Sequence, residues 1–198
     1  MPGIPTATFD MLDASIPESF DQWLAFPDEV RWPHYIQKAH TDPKNWERHA
    51  PPEWAYSLTW QEFRYADVSD VGGLRSVLNS DLPGLYIFYA RPNHLIHHFP
   101  QFPLYVGISN ESGSGRSLHQ RLSDYLPSRI SAISKRGNID RMLRLYYGVI
   151  WVAYAFSDRS SSELELFEEK LHGFIHPPYD IRDFPIDIKI QQKRFGVR

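Results

Sequence analysis

The chain has 198 residues, a formal net charge of −3, 42% hydrophobic residues and 15% aromatic residues, which suits one ordinary domain with an extension and a well-filled core. It contains no Cys, which excludes disulfide scaffolds, thiolate zinc sites, iron–sulfur clusters and cysteine nucleophiles together. No apolar run approaches the roughly 20 residues of a membrane span, and the opening MPGIPTATFDML lacks the basic-then-apolar plan of a signal peptide, so the expected setting is cytoplasmic with no membrane.

Residues 1–15 read as a loose tail. Residues 16–65 carry five of the six Trp, namely Trp23, Trp32, Trp46, Trp54 and Trp60. Ser15-Ile-Pro-Glu18 and Thr59-Trp-Gln-Glu62 have the form of capping boxes opening short helices, and Asp42-Pro43 that of an N-cap followed by Pro. A further helix is expected from about Ser69 to Leu78. Residues 1–80 are thus read as a Trp-rich N-terminal helical extension pinned by its Trp side chains to the main domain. This stretch holds 12 acidic and 6 basic groups. Its acidity favours packing or a protein contact, with a homodimer or another partner, over base stacking.

From Leu82 the texture changes, and residues 81–198 are read as the main domain. Gly84-Leu-Tyr-Ile-Phe-Tyr-Ala90 is a predicted strand, and Leu104-Tyr-Val-Gly-Ile108 a second. The link between them contains His94, His97 and His98. No carboxylate joins these at ligand spacing, so they are read as a surface loop, with an auxiliary approach to phosphates or bases for His97 and His98. A Gly- and Ser-rich loop follows, then Leu118, Leu122, Tyr125 and Leu126 at helical spacing. Residues 128–144 read as a basic helix, Tyr146 to Phe156 as a buried strand. Ser160-Ser-Ser-Glu163 caps a last helix running to about Ile175, where Pro177-Pro178 stops it. His172 and His176 stand at i, i+4 but without the flanking pattern of a zinc helix, and are read as helix surface. The order predicts an α+β fold, a small three-stranded antiparallel sheet flanked by helices.

Side chains alternate along a strand. Tyr86 therefore points away from Leu85 and Ile87, Tyr105 away from Leu104 and Val106, and paired strands would bring the two tyrosines to one face. Arg121 and Tyr125 are i and i+4, one above the other. On the last helix, Leu164, Phe167, Leu171, Phe174 and Ile175 make an apolar stripe, with Glu168 at its edge. A half-buried carboxylate there needs a partner or a cation. Tyrosines, an arginine and a carboxylate suit metal-assisted phosphodiester cleavage: Arg neutralises phosphate, the carboxylate holds a hard divalent ion, and a phenol handles a proton. The segment from Arg116 to Arg144 carries seven basic residues against two acidic ones. Within it Arg116, His119, Arg129, Lys135 and Arg136 are the candidate nucleic-acid contacts.

These blocks resemble the GIY-YIG nuclease family. Gly84-Leu85-Tyr86 stands for the first signature and Tyr105-Val106-Gly107 for the second. Leu118-His-Gln-Arg121-Leu-Ser-Asp-Tyr125 resembles the arginine helix. Glu168-Glu-Lys-Leu171 with Pro177-Pro-Tyr-Asp180 resembles the glutamate helix and its ending. The resemblance covers about residues 82–182. It implies a GIY-YIG core in which Tyr86 is the general base or orients the attacking water, Tyr105 holds the scissile phosphate, Arg121 stabilises developing charge, Tyr125 lies near the phosphate, and Glu168 binds one Mg²⁺ or Mn²⁺. Two departures stand out. Ile108 occupies the place where many members carry Lys. Asp180 replaces the usual Asn, as an auxiliary metal ligand or a change in local hydrogen bonding. The implied function is a metal-dependent DNA endonuclease of the compact restriction type, acting in restriction or phage defence. Its rivals are a structure-specific repair nuclease and a catalytically inactive module that binds nucleic acid or protein.

Overall fold

The computed structural model describes residues 43–91, 101–126, 137–179, 186, 189 and 190. In chain order the regular elements are α1 (Pro43–Arg48), β1 (Gln61–Arg64), α2 (Val71–Val77), β2 (Gly84–Ala90), β3 (Phe102–Ile108), α3 (Leu118–Ser123), α4 (Gly137–Leu145), β4 (Ile150–Phe156) and α5 (Ser161–Ile175). Single turns of 3-10 helix at Glu53–Ser57, Tyr65–Asp67 and Glu111–Gly113 link them. The Ser15–Glu18 capping box lies outside the described residues.

The unbroken apolar and aromatic run of β2 is buried at six of seven positions, as a strand covered on both faces must be. It pairs antiparallel with β3 on one side and β4 on the other. The sheet has four strands rather than three, in the order β1-β4-β2-β3. The added strand is β1, and it corrects the reading of Thr59–Glu62 as a helix start. The backbone from Gln61 to Arg64 is extended and paired with Tyr154 to Trp151. Phe63 packs its ring 6.0 Å from that of Tyr154, and the Tyr154 hydroxyl donates to Gln61 Oε1 at 2.7 Å. A capping box stabilises a helix by about 1 kcal/mol. Four backbone pairings on the open edge of β4, with Phe63 turned inward, outweigh it. Residues before position 81 therefore contribute an edge strand as well as helices.

The two faces of the sheet are covered separately. On one, Leu85, Val106 and Ile108 pack against Leu164, Phe167 and Leu171 of α5. On the other, Tyr86, Phe88, Tyr105, Val152 and Tyr154 pack against Leu74 of α2, Leu118 and Leu122 of α3, and Met142 and Leu143 of α4. Local signals set the helices that do this. The Asp70 side chain caps α2 by accepting from Gly73 N–H at 2.8 Å. Full capping boxes open α3 (Ser117 with Gln120) and α5 (Ser160 with Glu163). Helix α5 ends at Ile175, where His176 turns left-handed at φ 49°. The strand expected from Tyr146 begins only at Ile150, because Val149 and Ile150 N–H both bond back to the Tyr146 carbonyl in a turn.

The expectation that His172 and His176 lie on the helix surface is overturned: both are fully buried. Helix α1 docks over this part of α5. Asn45 donates to the Gly173 carbonyl at 3.0 Å and Lys170 to that of Arg48 at 3.1 Å. His49 lies so close that a Cβ at position 173 would come within 2.3 Å of its Nδ1. Of the Trp side chains nearby, Trp54 packs edge-on against Phe167 at 5.2 Å, whereas Trp46 and Trp60 stay substantially exposed. Among the described residues no helix is long and apolar enough to cross a membrane.

Candidate active site

The register of β2 and β3 sets Phe88 opposite Tyr105 and Tyr86 opposite Gly107. Tyr86 and Tyr105 therefore share one face, as alternation requires, with ring centroids 6.1 Å apart. Gly107 is what admits the first ring: a Cβ there would sit 2.3 Å from Tyr86 Oη. Gly84 has a similar role one strand over, since its Cβ would meet the Ala155 carbonyl at 2.1 Å.

Helix α3 brings the other two members. Its start is fixed by the Ser117 cap and by Leu118 N–H donating to the Leu82 carbonyl at 3.0 Å, and Leu118 and Leu122 bury its inner side. That phase turns Arg121 toward β2. Its Nε–H donates to Tyr86 Oη at 3.1 Å, and its guanidinium lies 5.7 Å from the centre of the Tyr125 ring. The Tyr86 and Tyr125 hydroxyls are 2.9 Å apart. Tyr125 follows the last turn of α3, and the Tyr65 hydroxyl holds its carbonyl at 2.5 Å. Four sequence-predicted residues thus converge: Tyr86, Tyr105, Arg121 and Tyr125.

The electrostatics are those of a buried cluster. Tyr86 has no exposed surface, and burial, then Tyr105 and Tyr125, push its phenol well above the ordinary value near 10, while Arg121 pulls the other way. Burial disfavours the charge on Arg121, but Tyr86, Tyr125 and Glu111 outweigh it, and the guanidinium holds its proton more firmly than usual. Ile108 pairs with Leu85 and is buried on the α5 face, so position 108 points away from the Tyr86 ring. Among the described residues the cation at the phenol is Arg121.

Glu168 is half-buried on α5, whereas Glu165 and Glu169 are exposed, in agreement with its phase at the stripe edge. It belongs to the helix on the opposite sheet face from the tyrosines. The two faces meet at the loop after β3. Glu111 in this loop forms an ion pair with Arg121 Nη2 at 2.6 Å. The same loop is held by α5: Ser112 N–H donates to Glu165 at 2.7 Å, Gly113 N–H to Ser161 Oγ at 3.1 Å, and Ser161 Oγ to the Asn110 carbonyl at 2.8 Å. Ser161, Glu165 and Glu168, at i, i+4 and i+7, lie on one side of α5. After α5 the chain returns to the tyrosine face, with Tyr179 N–H donating to the Leu104 carbonyl at 3.1 Å and its ring beside Tyr146.

Of the candidate nucleic-acid contacts, Arg116 is tied to Asp124 at 2.8 Å and to the Gln120 carbonyl at 3.1 Å, and His119 is half-buried on the first turn of α3. Arg129, Lys135, Arg136, Asp180, His97 and His98 lie outside the described residues. Glu111, Tyr65 and the Ser161–Glu165 clamp are site residues that sequence reasoning missed. Compared with family models, with curated proteins and with solved structures, the chain finds no match.

Proposed function

We propose that this chain is a metal-dependent DNA endonuclease of the GIY-YIG type. The observation that carries the reading is the contact between Arg121 Nε and Tyr86 Oη at 3.1 Å, inside a cluster with Tyr105 and Tyr125. A guanidinium held beside phenols at one end of a sheet, with Tyr86 and Glu111 on one edge and the other edge open to a ligand, is an arrangement that suits a phosphodiester. Four motif blocks in the family's order add to it.

In this reading Arg121, whose side chain is 12% exposed, meets the phosphate with its open edge and stabilises the developing negative charge. Tyr105, at the rim of the cluster, hydrogen-bonds a phosphate oxygen. Tyr86 takes the proton of the attacking water or orients that water, and Tyr125 holds its hydroxyl in place. Among the described residues no three His, Asp or Glu side chains could hold a metal ion by themselves. One carboxylate with substrate phosphate and water suits Mg²⁺, which keeps several waters and takes few protein ligands. In this reading Glu168, the half-buried carboxylate of α5, would hold the Mg²⁺ or Mn²⁺, and the ion would supply charge stabilisation at the leaving oxygen. The Arg116–Arg144 segment would carry the duplex, and the acidic N-terminal region a protein contact. The role that goes with this reading is restriction or phage defence.

One observation favours a second reading, a catalytically silent module that binds nucleic acid: Tyr86 has no exposed surface in this conformation. Incubation of supercoiled plasmid with the full chain, with Mg²⁺ and with EDTA, separates the two. Nicked or linear product with Mg²⁺ and none with EDTA supports the nuclease. Retarded but uncut DNA under both conditions supports the silent module.

A further inference from the structure

Arg121 presents two edges. One carries Nε–H and an Nη2 proton, the other the Nη1 protons and the second Nη2 proton. The first edge is already occupied: Nε–H by Tyr86 Oη, Nη2 by Glu111. We propose that Glu111 is a positioning residue that fixes the guanidinium in the plane where its second edge faces the substrate phosphate; this rests on the nuclease reading above. Tyr86 alone is a neutral acceptor on one nitrogen and leaves the long Arg side chain free to pivot about that bond. A carboxylate on the neighbouring nitrogen stops the pivot, and a charge-assisted bond is about twice as strong as a neutral one.

The backbone around Glu111 is built to hold it there. Asn110, Ser112, Gly113 and Gly115 all take left-handed φ, at 64°, 52°, 68° and 69°. Two of these are not glycine, and left-handed non-glycine residues persist where the surroundings over-determine them. The surroundings are in hand. The Asn110 side chain accepts from Gly115 N–H at 2.7 Å, and Ser161 and Glu165 of α5 bind the backbone on both sides of Glu111. The helix that carries Glu168 on one sheet face thereby sets the orientation of Arg121 on the other. A mobile loop would let Glu111 withdraw when phosphate arrives. A loop clamped by these hydrogen bonds keeps it beside the arginine throughout.

The test uses the full chain with Glu111→Ala and Glu111→Gln, and two readouts. The first is independent of activity: water exchange of the Arg121 Nε–H, followed by NMR on ¹⁵N-arginine-labelled protein and assigned with Arg121→Lys. A fixed guanidinium gives a slowly exchanging Nε–H in the parent, fast exchange in Glu111→Ala and an intermediate rate in Glu111→Gln, whose amide oxygen still accepts. The second is steady-state cleavage of a duplex with Mg²⁺. Misplacing a charge-stabilising group lowers kcat, here by about tenfold to a hundredfold in Glu111→Ala, with KM nearly unchanged and partial recovery in Glu111→Gln. Wild-type exchange or wild-type kcat in Glu111→Ala overturns the proposal. So does a higher kcat/KM, which would make Glu111 an anion that substrate displaces. If the parent cuts no DNA, the nuclease reading falls and the exchange rates alone decide the positioning role.

Discussion

The two faces of the sheet are built from the same strands and treat polar groups in opposite ways. Toward α5 the strands present Leu85, Val106 and Ile108, met by Leu164, Phe167 and Leu171. Toward α3 they present Tyr86 and Tyr105, met by Tyr125 and the guanidinium of Arg121. Burying phenols and a charge costs free energy that leucines in the same places would not. A sheet that needed only a core could use the α5 solution twice. On the α3 face the Tyr86 hydroxyl is hydrogen-bonded to both Tyr125 and Arg121. Among the described residues the Nη1 edge of Arg121 makes no contact with these groups, and it is the edge that the proposed reading gives to a phosphate.

The contrast breaks most sharply at Arg121. Arg121→Ala removes the charge, and cleavage of plasmid should fall by about two to three orders of magnitude, on the order of what one charge-stabilising donor contributes elsewhere. Arg121→Lys should recover only part, because an ammonium is a point charge without the planar fork. Equal turnover of Lys and Arg would make Arg121 a generic cation. Glu168→Gln, on the other helix, should abolish Mg²⁺-dependent cutting while DNA retardation in EDTA persists. Cutting at the parent rate would remove Glu168 from the metal site.

Neighbouring positions on β3 offer a stability version of the same contrast. Gly107→Ala places a methyl 2.3 Å from Tyr86 Oη and must displace the ring, for a cost of about 1–3 kcal/mol in chemical denaturation together with loss of cleavage. Ile108→Val, one residue on and facing α5, should cost about 0.5–1.5 kcal/mol and leave cleavage alone. Similar losses of activity in both would mean that the faces are not functionally distinct.

The smallest expected effect concerns the basic segment. Neutralising Arg129, Lys135 and Arg136 should flatten the dependence of log affinity on log salt by about 0.9 for each duplex phosphate that the protein no longer neutralises. An unchanged slope measured by fluorescence anisotropy would make these residues a solvated face.

What the sequence makes legible follows from local physics. The period of two in GLYIFYA and LYVGI is enough to put Tyr86 and Tyr105 on one face, and the stripe and capping box of SSSELELFEEKLHGFI are enough to define α5 and the half-burial of Glu168. The misses share a cause. Strand β1 has a helix-start signature that only pairing with β4, about ninety residues away, overrides. His172 and His176 look like surface in the helical period, yet both are buried, on the part of α5 where α1 docks at Gly173 and Lys170. Glu111 sits in a Gly- and Ser-rich stretch that reads as a loop. Its reach to Arg121 depends on the left-handed residues around it and on a helix about fifty residues later.

The central claim is that the buried phenol on the α3 face takes part in chemistry, and its proton tests this most directly. Burial holds Tyr86 above its ordinary value, so the base form is scarce at neutral pH and grows tenfold for each pH unit below that raised value. Single-turnover cleavage of a labelled duplex between about pH 6 and 9.5 should therefore rise throughout with a slope near one on a logarithmic scale. Tyr86→Phe keeps the ring and its packing, and should lose both the rate and the slope while the fold stays intact. A Tyr86→Phe protein that cleaves at the parent rate with the same pH profile would contradict the account and leave the tyrosine cluster as core.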